Sequence, residues 1–202
     1  ALMKGKTSQK IRTAHRYLGL FLGIQFLFWT ISGLYFSWTE LDEIHGDHFK
    51  KVKVKNQFKN LLSPSEFNFG AAINSLELKE IADIPYYWIN GTKLINAYDG
   101  DVKDSITKQE AIIISNNNIL DEYKISDIEI INEVGNHHEY RGRPLPAYVI
   151  SYEGSDKLKS YISIKDGQFQ TVRHRSWRWF DFLWMTHTCL LYTSDAADDS
   201  PS

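Results

Sequence analysis

Cysteine is almost absent. Cys189 is the only one among 202 residues, which excludes an intrachain disulfide and a cysteine-based metal site. The chain has no glycine-rich phosphate loop, no HExxH helix and no nucleophile-elbow motif, so it carries no recognisable catalytic constellation. Its basic residues form no stripe that would track a nucleic-acid backbone, and the formal net charge is −2, so nucleic acid is not an expected partner. Charge is also missing from one long run, Tyr17 to Trp38, which reads YLGLFLGIQFLFWTISGLYFSW.

That run defines the chain. At about 1.5 Å per helical residue it reaches roughly 33 Å, against about 30 Å for the hydrocarbon core of a bilayer. It is apolar on all sides, and Trp29, Tyr35 and Trp38 lie in its second half. A transmembrane helix over 17–38 is predicted. Lys4, Lys6, Lys10, Arg12 and Arg16 precede it without an acid, and Glu40, Asp42 and Glu43 follow it. Basic flanks stay cytoplasmic. Residues 1–16 are therefore expected inside and the main domain outside, with the span too long for a cleaved signal peptide.

Residues 39–62 read as a juxtamembrane linker, with a short edge strand expected over 50–59, where charge alternates with Val52 and Val54. An α+β domain is predicted over 63–175. Ser63-Pro64-Ser65-Glu66 has the form of a capping box, from which a helix should run to about Leu76. Pro85 to Ile89, the Asn90-Gly91 turn and Lys93 to Tyr98 read as a hairpin, and Asp99-Gly100 turns the chain again. Thr107-Lys108-Gln109-Glu110 is a second capping box. Strands are expected over Ile125 to Val134, Ala147 to Tyr152, Leu158 to Ile164 and Phe169 to Val172, the last three as a meander. Ile95 to Val102 (INAYDGDV) is similar to Ile162 to Phe169 (ISIKDGQF). Either two copies of one helix-and-strand unit or independent Asp-Gly turns account for this likeness.

Ser176 to Thr188, SWRWFDFLWMTHT, reads as the start of a second span with Trp177 and Trp179 in the interfacial belt. An amphipathic helix lying on the membrane is the alternative. Cys189 to Asp198, CLLYTSDAAD, resembles the translation of a transposase-derived sequencing adapter (TGT CTC TTA TAC ACA TCT GAC GCT GCC GAC). Residues 189–202 are therefore expected to be a non-native tail, the alternative being a natural polar one.

Several motifs resemble a known family. His15-Arg16-Tyr17-Leu18-Gly19-Leu20, with Ser32-Gly33-Leu34-Tyr35 further on, resembles the opening helix of PepSY-associated transmembrane proteins of the bacterial inner membrane. The strands around Asp166-Gly167 resemble the close of a PepSY domain. Glu139 to Tyr148 and Trp177 to His187 look like motifs of two-span members. The resemblance covers about residues 10–188. It implies an extracytoplasmic PepSY-like domain and an accessory role in iron or haem handling, or in membrane electron transfer. Relatives of the large reductase type have more spans than this chain, so an autonomous electron-transfer enzyme is not implied. Soluble PepSY units in protease propeptides imply the alternative, a non-enzymatic module that binds a peptide or protein.

Candidate site residues follow. His15 lies at the cytoplasmic rim of the span, and Gly19 and Gly23 continue nearly the same face as a small-xxx-small groove. The resemblance makes His15 an axial ligand of haem b; an interfacial histidine beside a helix-packing groove is the simpler reading. His187 would lie roughly 15 Å into a second span, where an ionisable residue marks a functional candidate. The two histidines need not share one haem, and a homodimer pairing His187 with its copy, or a membrane redox partner, is a further option. Beyond the span, Glu43, His45, Asp47 and His48 offer nitrogen and oxygen donors, with His45 and His48 one helical turn apart as the metal-ligand pair. A solvated helix exit is the alternative. Arg141 and Arg143 would hold a carboxylate-rich ligand or anchor the loop to lipid phosphates.

Overall fold

The computed structural model describes residues 2–53, 56–67 and 72–188, with side chains from residue 5 onward. The expected tail, residues 189–202, lies outside the described residues. The chain divides into two compact units, Ala1–Leu41 with Trp179–Ser202, and Asp42–Arg178.

In the first unit, α1 (Leu2–Trp38) is one continuous helix. Its segment Gly5–Trp38 is long and apolar enough to cross a membrane, and only 6% of its most apolar window is buried. Leu18, Phe21, Phe26 and Leu27 are each more than half exposed. A helix apolar all round that the protein leaves uncovered is suited to lipid rather than to a soluble core. The same unit contains the second half of α4 (Arg175–His187), the helix expected from the aromatic SWRWF motif.

The second unit begins with α2 (Leu41–His45) and a 3-10 turn, Asp47–Phe49. Strands β1 (Leu76–Ile81), β2 (Ile84–Ile89), β3 (Lys93–Asn96) and β4 (Val102–Lys103) form one antiparallel sheet in chain order. Helix α3 (Lys108–Asn118) follows. Strands β5 (Ile125–Ile131), β6 (Ala147–Tyr152), β7 (Lys159–Ser163) and β8 (Phe169–Arg173) form a second four-stranded sheet, also in chain order. This is an α+β arrangement, as expected.

Side-chain alternation explains the layering. Tyr86 and Trp88 of β2 point into a core shared with Tyr148, Ile150 and Tyr152 of β6, and with Ala111 and Ile114 of α3. Tyr87 and Ile89 point to the opposite face of the first sheet, where Leu61 and Phe67 pack against them. On the second sheet, Val149 and Tyr161 turn outward under Tyr140. Both faces of the central strands are thus covered, and each fully buried Ile, Leu or Phe contributes about 1.5–3 kcal/mol.

The two Asp-Gly turns are the same turn. Gly100 N–H donates to the Asn96 carbonyl at 2.9 Å and Gly167 N–H to that of Ser163 at 3.0 Å. Asn96 N–H then donates to Asp101, and Ser163 N–H to Gln168. Asp99 and Asp166 each accept from the backbone N–H two residues on. The repeat therefore extends to two meanders with one turn design between their third and fourth strands. Among the described residues the element just before the first meander is a 3-10 turn, Pro64–Glu66, whereas α3 directly precedes the second.

Two expected elements differ. Among the described residues, the helix predicted from Ser63 is only a 3-10 turn, Pro64–Glu66; residues 68–71 of the predicted span lie outside the described residues. Ser63 does cap it, but Phe67 is already extended, at φ −96° and ψ 137°. Its ring packs beside Tyr87 and so close to Gly100 that a Cβ there would lie 2.8 Å from it. Tertiary packing of Phe67 overrides the capping signal. Over 50–59, a single bridge from Lys50 to Ile119 replaces the strand, and Val52 is 93% exposed. Val54 lies outside the described residues. Val52, the described apolar residue of the expected alternation, faces solvent and so gives a strand nothing to bury there.

Candidate functional site

The residues most unusual for their surroundings lie where α4 meets α1 within the first unit. Trp29, Ser32, Gly33 and Phe36 recur at helical spacing on one face of α1, and Phe180, Trp184 and His187 on one face of α4. Phe36 packs against Phe180, Trp184 and His187, with ring centroids 5.0, 5.6 and 5.5 Å away. Trp29 stacks on the His187 imidazole at 4.9 Å and 20°. The ring passes close to the α1 backbone at Gly33, where a Cβ would lie 3.8 Å from His187 Cε1, an ordinary contact distance. Gln25 Nε2 donates to the Thr186 carbonyl at 3.3 Å, a second polar tie between the helices.

Ser32 is 1% exposed on a helix whose other side chains are mostly bare. Its Oγ lies 2.8 Å from the Phe28 carbonyl and 2.7 Å from His187 Nδ1. A hydroxyl has one proton. Donated to the Phe28 carbonyl, that proton leaves Oγ to accept from Nδ1–H, and the neutral imidazole then carries its lone pair on Nε2. Nε2 has no hydrogen-bond partner among the described residues. Orientation of an imidazole through its other nitrogen is the usual arrangement of a metal-ligating histidine. Beside it, the Trp184 indole N–H is buried with no partner among the described residues, a donor available to a ligand's acceptor.

His15 lies elsewhere. It is exposed on α1, and its seventeen-residue separation from Ser32 corresponds to about 25 Å along the helix axis. His15 and His187 of one chain therefore cannot ligate the same iron. Gly19 and Gly23 have nothing within 4 Å of where a Cβ would be, so in this chain they form an open face, not an occupied packing groove.

The remaining candidates belong to the second unit. His45 stands within ligand reach of Asp42 and Asp47. His48 does not join them; its ring lies 4.0 Å from Phe49 and 5.5 Å from His174. Arg141 is 7% exposed, and its backbone N–H and guanidinium both donate to the His138 carbonyl. Arg143 donates to the Gln170 carbonyl at 3.1 Å. Both arginines thus have structural ties to their own loop and strand.

Sequence reasoning missed Ser32 as the partner of His187 and Glu139 as the centre of a polar network. Glu139 takes Arg178 Nε at 2.5 Å on one oxygen, and Arg178 Nη2 at 3.1 Å and the Tyr161 hydroxyl at 2.6 Å on the other. Burial pushes its carboxyl up, but the hydrogen bonds from Arg178 and Tyr161 outweigh it and hold the group below the usual range. Nearby, the buried Arg173 guanidinium stacks 3.9 Å over Trp177. The motifs around Glu139 and Trp177 were visible in the sequence, but nothing in their spacing joined them. Compared with known proteins, the chain matches no family model, no curated protein and no solved structure.

Proposed function

We propose that this is a bacterial inner-membrane protein of the PepSY-associated type, with its N-terminus inside and its α+β unit outside, serving as an accessory component of iron or haem handling. The oriented imidazole of His187 carries this reading. Ser32 engages Nδ1, Trp29 and Phe36 pack on the ring, and with the Ser32 proton on the Phe28 carbonyl the lone pair on Nε2 is left for a ligand. With these features His187 would hold a haem iron through Nε2. Bound haem supplies a one-electron couple at its iron. The chain's own residues hold and orient that ring and place the apolar rings of Trp29 and Phe36 against it. His15 lies near the opposite end of the span, so any role it has in binding belongs to a second group or to another chain. Substituting His187 by Ala should abolish growth that depends on ferric iron while protein levels stay normal. Unchanged growth, at normal levels of a chain lacking this histidine, would overturn the reading.

A second reading rests on β1. Among the described residues it is a sheet edge, paired with β2 on one side, with Leu76 and Leu78 41% and 49% exposed. An extended peptide adding to that edge would make the α+β unit a binding module. Co-purification of one defined partner, lost when Leu78 is replaced by Lys, would favour it.

A further inference from the structure

The turn that follows α2 holds a different kind of site. Asp42, His45 and Asp47 each present one donor atom, and these lie within 4.8 Å of one another. Donors about 2.1 Å from a divalent ion are roughly 3 to 4.2 Å apart, so small side-chain adjustments close this set around one ion. The backbone beneath is fixed. Ile44 is 0% and Phe49 2% exposed. Gly46 has φ +70°, and a Cβ there would fall 2.6 Å from Val172 Cγ2. His174 Nε2 donates to the Ile44 carbonyl at 3.1 Å. Gly46 N–H donates to Glu43, and Phe49 N–H to Gly46. The residues between the donors thus anchor the turn inward, while Asp42 and Asp47 are exposed and His45 is half-buried. Donors presented from a locked backbone make a preorganised site.

We propose that Asp42, His45 and Asp47 bind a divalent transition-metal ion of the Zn2+, Mn2+ or Fe2+ class. One imidazole and two carboxylates are a hard-to-borderline donor set without thiolate. Three protein donors leave coordination positions for water or an exchanging ligand. Lys50 Nζ lies 2.8 Å from Asp47 Oδ1 and competes with the ion for that carboxylate. The ion pair is solvent-exposed and therefore weak. The site uses none of the residues around His187, and its success or failure leaves the haem reading untouched.

The test is a metal titration of the full chain in detergent micelles, in a Cys189→Ser background that removes the one thiol. Zn2+ uptake is followed by calorimetry and Co2+ uptake by visible absorption. The expected result is one Zn2+ per chain, with affinity reduced at least about tenfold by Asp42→Asn, His45→Gln or Asp47→Asn, since loss of outer-shell partners alone costs about 10–100-fold. His48→Gln should stay within about twofold of the parent. Circular dichroism of each variant should match the parent, because none of the three donor side chains is buried. No uptake by the parent would overturn the proposal. So would binding by His45→Gln within about twofold of the parent, or a loss in His48→Gln equal to that in His45→Gln.

Discussion

Replacing Glu139 by Ala removes the acceptor for three hydrogen bonds at once. The Tyr161 residue is buried, at 1% exposure, and without Glu139 its hydroxyl has no other partner among the described residues. An unsatisfied buried hydroxyl costs about 1–3 kcal/mol. Arg178 loses a bidentate carboxylate, a contribution of about 1.5–3 kcal/mol when fully buried. Its side chain is 30% exposed and keeps its bond to the Lys157 carbonyl, so the lower end of that range applies. Together these give a loss of roughly 2–4 kcal/mol. For a protein of this size that is a fall in melting temperature of roughly 4–16 °C. Glu139→Gln, which keeps the shape and an acceptor for Tyr161, should lose about half as much. Urea unfolding of the detergent-solubilised chain, followed by tryptophan fluorescence, measures both. A loss below about 0.5 kcal/mol for Glu139→Ala, the range of ordinary surface substitutions, would refute the claim that this carboxylate organises the outer face of the second sheet.

Other outcomes follow from the same structure. Thr107→Ala removes one half of a complete capping box, in which Thr107 Oγ1 accepts from Glu110 N–H and Glu110 accepts from Thr107 N–H at 2.7 Å. It should cost about 0.5–2 kcal/mol, seen as a lower urea midpoint with unchanged slope; an unchanged midpoint would contradict the role of the cap. His174 is 2% exposed, and its pKa is lowered from 6.5 by burial, with His48 and Arg178 adding to the effect while the Ile44 carbonyl bond and Asp156 oppose it. Because the folded pKa lies below the unfolded one, the neutral ring contributes stability above about pH 6.5 that is lost as pH falls through the folded value. The unfolding midpoint should therefore drop as pH falls below about 6.5, and His174→Phe should flatten that slope. An equally steep slope in the variant would rule His174 out as its source. Gly167→Ala places a Cβ 3.0 Å from Ile81 at φ +67° and should destabilise the chain by about 1–3 kcal/mol, whereas Gly91→Ala, with open space around it, should cost less by the same thermal melt.

Legibility of the fold tracked the strength of local signals. The charge-free run announced α1, and Thr107 with Glu110 announced α3 because both halves of the box act through neighbouring backbone. Asn90-Gly91 supplied the positive φ angles, 49° and 68°, that a tight hairpin needs. Strand β1 stayed hidden because its hairpin to β2 turns at Ala82 and Asp83, at φ 50° and 67°. Alanine rarely adopts that conformation, so the sequence signals no turn there and no strand is expected over Leu76–Ile81. Phe67 shows the converse, a sound capping signal overruled by a ring that packs on Tyr87. At the sites, His187 and His45 were legible as histidines in telling positions. Asp47 was also legible, as a candidate donor beside His45, but Ser32 and Asp42 were not. Ser32 lies 155 positions from His187, and Asp42 reaches His45 through the shape of a turn that Gly46 and buried Ile44 define. Pairings of that kind belong to tertiary structure, which no spacing rule records.

The central claim is that His187 ligates a haem within the membrane unit. Its most direct test is the reduced-minus-oxidised absorbance spectrum of the full chain, purified in detergent after expression with added haem. Sharp b-type bands are expected that disappear in His187→Ala, weaken or shift in Ser32→Ala, and persist in Asp42→Asn. A featureless spectrum from pure, folded protein, or bands unchanged by loss of His187, would contradict it.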